Sequence, residues 1–407
     1  MGPGRGEGVL HQHLLCAGKG LTQCQRRVSK LHHIPLQPGS LEGISMTEVV
    51  RPTTRVAHNE DIEDSRLSLP SSESPAGGSN RGGISAGFSA ANLLAKFGLL
   101  GMLVIELVVF SLLAPNTFPT VSNFQNILSS QAIFMIVTLG LTLPVLAGEF
   151  DVSVANTLGF TTVLIGYLTV LKEWPFVPAL IVCILAGTLV GAVNAVLVVG
   201  LGINSFIATI GTGTVLMGFA TLLSNSAVIP GLPEPLVTAA ISQFLGLPLP
   251  VYYGLGLAVV LWLVYEHMPV GRRLLFVGAG REAGRLAGVR VQRVRAGALI
   301  ASGTIAGLAG LVLAGQLGAS DPTIGNSYLL PAFAGVFLGA TTIKPGRSNA
   351  WGTVIALYAL IVGITGLQLL GAGSWVQDVF NGGALIVGVA VTRLATRSGR
   401  STAGVNP

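Results

Sequence analysis

Long apolar runs alternating with short polar breaks fill the chain from Phe97 onward, and no other feature narrows its fold as far. A helix needs about 20 predominantly apolar residues to cross the hydrocarbon core of a bilayer. Ten stretches read as spans, at 97–114, 129–147, 153–171, 176–199, 203–224, 250–268, 296–317, 329–343, 350–370 and 376–392. The second and eighth are short and hold Pro144 and Pro331, so they are expected to be broken or partly re-entrant. Of 407 residues, 51% are hydrophobic and 10% charged, where a soluble domain carries about 25% charged residues. The 55 glycines agree with a membrane protein, because small residues let membrane helices approach closely. The expected fold class is all-α, a polytopic integral membrane protein whose roughly ten transmembrane helices occupy residues 91–395.

Arginine placement orients these spans. The break at 271–295 holds Arg272, Arg273, Arg281, Arg285, Arg290, Arg293 and Arg295 against one acid, Glu282. Cytoplasmic loops are enriched in Lys and Arg, so this loop is expected inside. Counting outward puts "KPGRSNA", Arg393, Arg397, Arg400 and the 396–407 tail on the same side. Counting backward puts Lys96 and the N-terminal tail there too. Five spans is an odd number, so spans six to ten start on the opposite side from spans one to five. That parity permits an inverted five-plus-five repeat, as in many transporters.

Residues 1–90 read differently. "SLPSSESPAGGSNRGGISAG" is rich in Ser, Gly and Pro, and Glu60, Asp61, Glu63 and Asp64 have little apolar surface near them. A disordered cytoplasmic tail is expected, with no basic-then-apolar signal peptide. Met46 opens a second plausible translation start, which would leave residues 1–45 untranslated. His11, His13, Cys16 and Cys24 match no standard zinc spacing. Three cysteines make no disulfide framework.

"FVGAGREAGRLAGVR", residues 276–290, invites a nucleotide-binding reading. A dinucleotide fingerprint needs a strand, a glycine turn into a helix, a second strand and an acid about 20 residues on. The glycines of this stretch are spaced one residue too far, and the chain runs on into the membrane with no such acid. A better reading starts at Glu282, where helix formers precede Gly288, a residue suited to ending a helix. A short, arginine-rich helix at the cytoplasmic face would suit docking on another protein. The alternative is a basic loop that only anchors to anionic headgroups.

Several segments, taken together and in order, resemble one family. "EAGRLAG" is similar to the Glu-Ala-Ala-x-x-x-Gly coupling loop of ABC-importer permeases, with Gly284 in place of the second Ala. "GEFDVSVANTLGF" (148–160), "NSFIATIGTGTVLMGFATLL" (204–223) and "SDPTIGNSYLLPAFAGVFLGATTIKPGRSNAWGT" (320–353) resemble segments of the ribose/xylose/galactoside group of monosaccharide permeases. The resemblance covers residues 97–392. It implies a homodimer of permeases in a bacterial inner membrane, paired with ATPase subunits and an external sugar-binding protein. It also assigns Arg281, Glu282, Ala283, Gly284, Arg285, Leu286, Ala287 and Gly288 to coupling with the ATPase. Two departures stand out: Leu330 and Pro331 replace the group's Glu and Asp, and Ile343 is followed by Lys344 and Pro345.

Polar groups in or beside spans are costly and mark functional candidates. Glu149 and Asp151 precede the third span, where Asp151 would either cap that helix or serve gating or the pathway. Asn194, Asn204, Thr209 and Thr212 suit a hydroxyl-rich ligand, and interhelical hydrogen bonding explains them equally. Glu106 lies mid-span, with a helix-contact or pore role set against none. Asp378 and Asn381 open the last span, where they would cap it. Trp174, Trp351 and Trp375 read as interfacial anchors.

No nucleophile–base set, zinc spacing or Gly-x-x-x-x-Gly-Lys-Ser/Thr loop appears. This chain is therefore expected to be a transport subunit and not an enzyme, binding no cofactor itself. ATP and magnesium would sit on a separate ATPase. The solute expected is a monosaccharide or related neutral polyol. The alternatives are a nucleoside-importing relative and a secondary transporter without an ATPase, and membrane lipid is a general partner.

Overall fold

The computed structural model describes residues 90–401, with side chains for 96–391. The expectations for residues 1–89, including the Met46 start and the His/Cys group, lie outside the described residues, as do residues 402–407.

A backbone in hydrocarbon must satisfy its own hydrogen bonds, which in a single segment only a helix achieves. Helix α1 is Ala90–Leu113, and the second span is made of α2, Val121–Ser130, and α3, Ala132–Leu146. The third span is α4, Ser153–Gly166, ending in a π-helical turn, Tyr167–Leu171. Helix α5, Phe176–Ala195, ends the same way at Val196–Gly200, and α6 is Ser205–Ser224. A short strand β1, Ile229–Pro230, a helix α7, Glu234–Ile241, and a hairpin of β2, Gln243–Phe244, and β3, Leu247–Pro248, lead into α8, Leu249–His267. Helices α9, Pro269–Ala279, and α10, Arg281–Leu286, fill the arginine-rich break. Then come α11, Val291–Leu317, β4, Ala319–Ser320, a 3-10 turn, Ile324–Tyr328, α12, Leu329–Gly339, α13, Ala350–Leu369, and α14, Trp375–Ser401.

Eight of the described segments are long and apolar enough to cross a membrane, and Ile324–Gly339 and Trp375–Val391 are two shorter apolar ones. The chain is thus a multi-pass, all-α membrane protein whose ten segments coincide with the ten expected runs. The second span is longer than expected. It starts at Val121, where Thr120 accepts the Asn123 N–H at 3.2 Å, and it breaks at Gln131, not at Pro144. The last helix starts at Trp375, so Asp378 lies in its first turn and Asn381 is buried inside it, and neither caps it. That helix continues past residue 395 to Ser401.

Helix α11 runs through the middle of the bundle and packs on α3, α4 and α5. Its contact with α5 is backbone on backbone. A Cβ at Gly303 would stand 2.6 Å from the Gly187 carbonyl oxygen, and one at Gly191 would stand 2.6 Å from that of Leu299. Hydroxyls stitch the same helix to α4. Thr161 Oγ1 donates to the Gly307 carbonyl at 3.1 Å and Thr162 Oγ1 to that of Gly310 at 2.9 Å. Gly303→Leu has no space to relax into, and overpacking of this kind costs about 1–3 kcal/mol or more. It should lower the thermal midpoint of the solubilised protein by several degrees. Gly297→Leu on the same helix, where an added Cβ meets nothing within 4 Å, should leave that midpoint unchanged.

Candidate functional site

Between the sixth and seventh spans the chain folds back on the bundle end. The apolar stub Leu274–Val277 is helical, part of α9, and no strand forms there, which removes any dinucleotide unit. Gly278 lies against the Leu146 carbonyl at the end of α3, closer than any side chain would permit. Helix α10 is closed by Gly288 at φ 75°, whose N–H donates to the Arg285 carbonyl at 3.0 Å. The Val289 N–H donates to that of Gly284, also at 3.0 Å, so the two bonds together cap the helix end. Leu286 on α10 is 89% exposed.

An ion-pair cluster ties this loop to the turn before the third span. Glu149 is 2% exposed, and its Oε1 accepts from Arg281 Nη2 at 2.8 Å and from Arg295 Nε at 2.5 Å. Arg295, at 13% exposure, is the buried partner, and Arg281 at 53% the exposed one. Glu149 thus joins α10, the start of α11 and the turn at Gly148, where φ is +76°. A cavity of about 740 Å³ opens beside it, lined by Glu149, Asn204, Ser205, Arg281 and Arg295.

Two residues on, Asp151 is fully buried and bound by hydroxyls. Ser153 Oγ donates to its Oδ1 at 2.6 Å and Ser302 Oγ to its Oδ2 at 2.8 Å. Ser153 in turn accepts from Asn194 Nδ2 at 2.7 Å. The network joins the start of α4 to α5 and α11. Burial raises the Asp151 carboxyl above its ordinary value, and the serine donors pull it the other way. Asp151 does not cap α4: Val152 holds that position with no side-chain cap. Thr209 joins the group, accepting the Val152 N–H at 3.0 Å while donating to the Ser205 carbonyl at 2.7 Å.

Of the sequence candidates, then, Glu149, Asp151, Asn194 and Thr209 come together with Arg281. Asn204 stands at the edge of the cavity as the cap of α6, accepting the Phe206 N–H at 3.0 Å. Thr212 bonds back to the Ala208 carbonyl of its own helix at 3.0 Å. Glu106 lies apart on α1, near Gly363 of α13. Sequence reasoning did not single out Arg295, Ser153, Ser205 or Ser302. Lys344, one of the departures noted above, pairs with Glu266 at the end of α8, and so does Arg347 at 3.1 Å. Among the described residues no group of three or more His, Cys, Asp or Glu could hold a metal.

Removing Glu149 strands Arg295 below the surface, and breaking a buried pair costs about 3–5 kcal/mol. An exposed pair contributes about 1 kcal/mol or less. Thermal unfolding of the solubilised protein should therefore rank Glu149→Ala as most damaging, then Arg295→Ala, with Arg281→Ala nearly neutral. Equal losses from all three would contradict this geometry. Asp151→Asn, which keeps a side chain of the same size beside the two serines, should cost less than Asp151→Ala.

The family described as "Branched-chain amino acid transport system / permease component" matches residues 123–389. The D-allose transport system permease protein AlsC of Escherichia coli K12 is 29% identical over 312 residues, 76% of this chain and 95% of that protein. The ribose import permease protein RbsC of Bacillus subtilis 168 is 32% identical over 306 residues, 74% of this chain and 94% of that protein. The autoinducer 2 import system permease protein LsrD of Salmonella typhimurium is 29% identical over 303 residues, covering 72% and 89%. No solved structure matches. With a family match across two thirds of its length and relatives aligned nearly end to end, the chain belongs to this family of import-system permeases and is a transport component, not an enzyme.

Proposed function

We propose that this chain is the membrane subunit of an ATP-driven importer and passes a monosaccharide or related neutral polyol. The observation that carries the reading is the Glu149 cluster, which binds Arg281 of the short exposed helix α10 and Arg295 at the start of α11. An ATPase docked on Arg281–Gly288, with Leu286 as its apolar contact, would move α10. The Arg281–Glu149 pair passes that movement to the turn at Gly148. The Asp151–Ser153–Asn194 chain, with Ser302, carries it into α4, α5 and α11. ATP and magnesium sit on the ATPase in this reading, and this chain holds no cofactor.

The same reading includes the setting of the chain. The arginine-rich loop sits in the cytoplasm of a bacterial inner membrane, with both termini on that side. Two copies of this chain pair with two ATPase subunits and an external binding protein. A tail at residues 1–90 precedes the permease domain, whose last helix runs on to Ser401. Asn204 and Ser205, neutral residues lining the cavity beside Glu149, suit an uncharged solute, and the relatives named for allose and ribose transport favour a sugar.

In reconstituted vesicles with the ATPase and binding protein, Glu282→Arg or Gly288→Pro should abolish solute uptake while ATP hydrolysis continues. Full ATP-dependent uptake in both variants would remove the coupling role. Thermal-shift screening of the partner binding protein should give hits among pentoses, hexoses or polyols, and a response confined to charged amino acids would overturn the substrate class.

A further inference from the structure

Near the arginine-rich loop a slot of about 910 Å³ lies between helices α8 and α11. Its α8 wall is built from Leu257, Val260 and Val264, one helix face at three- and four-residue spacing. The α11 wall is Gly297, Ala301 and Ile305, again one face. Both walls are apolar. The loop end of the slot is not: Arg273, Arg290 and Arg293 line it. All three are exposed, and none forms an ion pair among the described residues, whose arginine pairs involve only Arg281, Arg295 and Arg347.

We infer that this slot holds one anionic phospholipid, its phosphate between the arginines and an acyl chain along the α8–α11 walls. Length supports the assignment. From Arg293 to Ile305 the helix climbs about 18 Å, at about 1.5 Å per residue. One leaflet of hydrocarbon is about 15 Å deep, half of a core about 30 Å thick. The charge order supports it too. Guanidinium groups match phosphate in planar, two-pronged geometry, and here they stand only where a headgroup would lie. Val260 is 53% exposed, so the slot is open along its side. A second copy of this chain fits less well, because a two-fold partner presents the same patch of surface and so the same arginine-rich loop. The slot also borders Ala287 and Gly288, which places the lipid beside α10. The inference needs only that α8 and α11 cross a bilayer, and it does not depend on the solute or the ATPase.

Gly297 supplies the test, since a side chain added there points into open space. The full chain is placed in phosphatidylcholine vesicles carrying a trace of either photoactivatable phosphatidylglycerol or photoactivatable phosphatidylcholine. Attachment sites are then mapped by mass spectrometry. Phosphatidylglycerol should label the α8 and α11 slot peptides several-fold more than phosphatidylcholine does. Gly297→Leu should remove slot labelling by both probes with the thermal midpoint unchanged. The double variant Arg290→Gln, Arg293→Gln should keep labelling but lose the preference for phosphatidylglycerol. Equal labelling by the two probes in the parent, or unchanged labelling in Gly297→Leu, overturns the site. So does photo-cross-linking from p-benzoylphenylalanine at Val260 that captures a second copy of this chain. The labelling is read without ATP or solute, so its failure leaves the importer reading standing.

Discussion

The backbone contact between α5 and α11 is the constraint on which the other positions depend. Lipid tails are as apolar as leucine, so helices in a bilayer gain little from burying apolar side chains and must associate through close packing and polar links. Gly187, Gly191 and Gly303 supply the packing, and Ser302, next to Gly303, supplies a polar link to Asp151. With the axes that close, Asn194 on α5 reaches Ser153 at the head of α4. A wider spacing would separate the Asp151 network into unpaired polar groups, each costly to leave buried.

Glu149 stands at the edge of this rigid interior and Arg281 on a helix at the surface. The pair is asymmetric in a useful way. Arg295 neutralises the carboxylate from the buried side, and Arg281 reaches it from the exposed side. A charge held by one buried partner stays compensated throughout, so α10 can draw on Glu149 through Arg281 without leaving an isolated charge beneath the surface.

Much of the fold was legible because hydrophobic length is the signal that a bilayer demands. All ten apolar segments could be placed, and their bounds moved where polar residues take part in a helix. Most of Val121–Ser130, "VSNFQNILSS", falls in the polar break before the expected second span, yet it is helical. Gln125 Nε2 donates to the Gly246 carbonyl at 2.9 Å, a tertiary bond that no hydropathy pattern contains. The site was legible in halves. Glu149 and Asp151 stand out as acids beside a span, and Arg281 as part of a basic loop. Their partners were hidden: Arg295 was one arginine among seven, and Ser302 lies in a run of small residues where serine looks like filler. What joins Glu149 to Arg295 is a contact across 146 residues of chain, and spacing along a sequence carries no record of it.

The threonines of the spans have a consequence of their own. Thr138, Thr157, Thr169, Thr188, Thr212, Thr214 and Thr221 each donate their hydroxyl hydrogen to the carbonyl one turn back on the same helix. A hydroxyl used in this way has no proton left to offer and presents only oxygen lone pairs. Thr138 and Thr157 are fully buried, and the bond leaves no donor unpaired there. Thr214 and Thr221 face outward from α6, and the same bond lets them do so without an unpaired O–H in hydrocarbon.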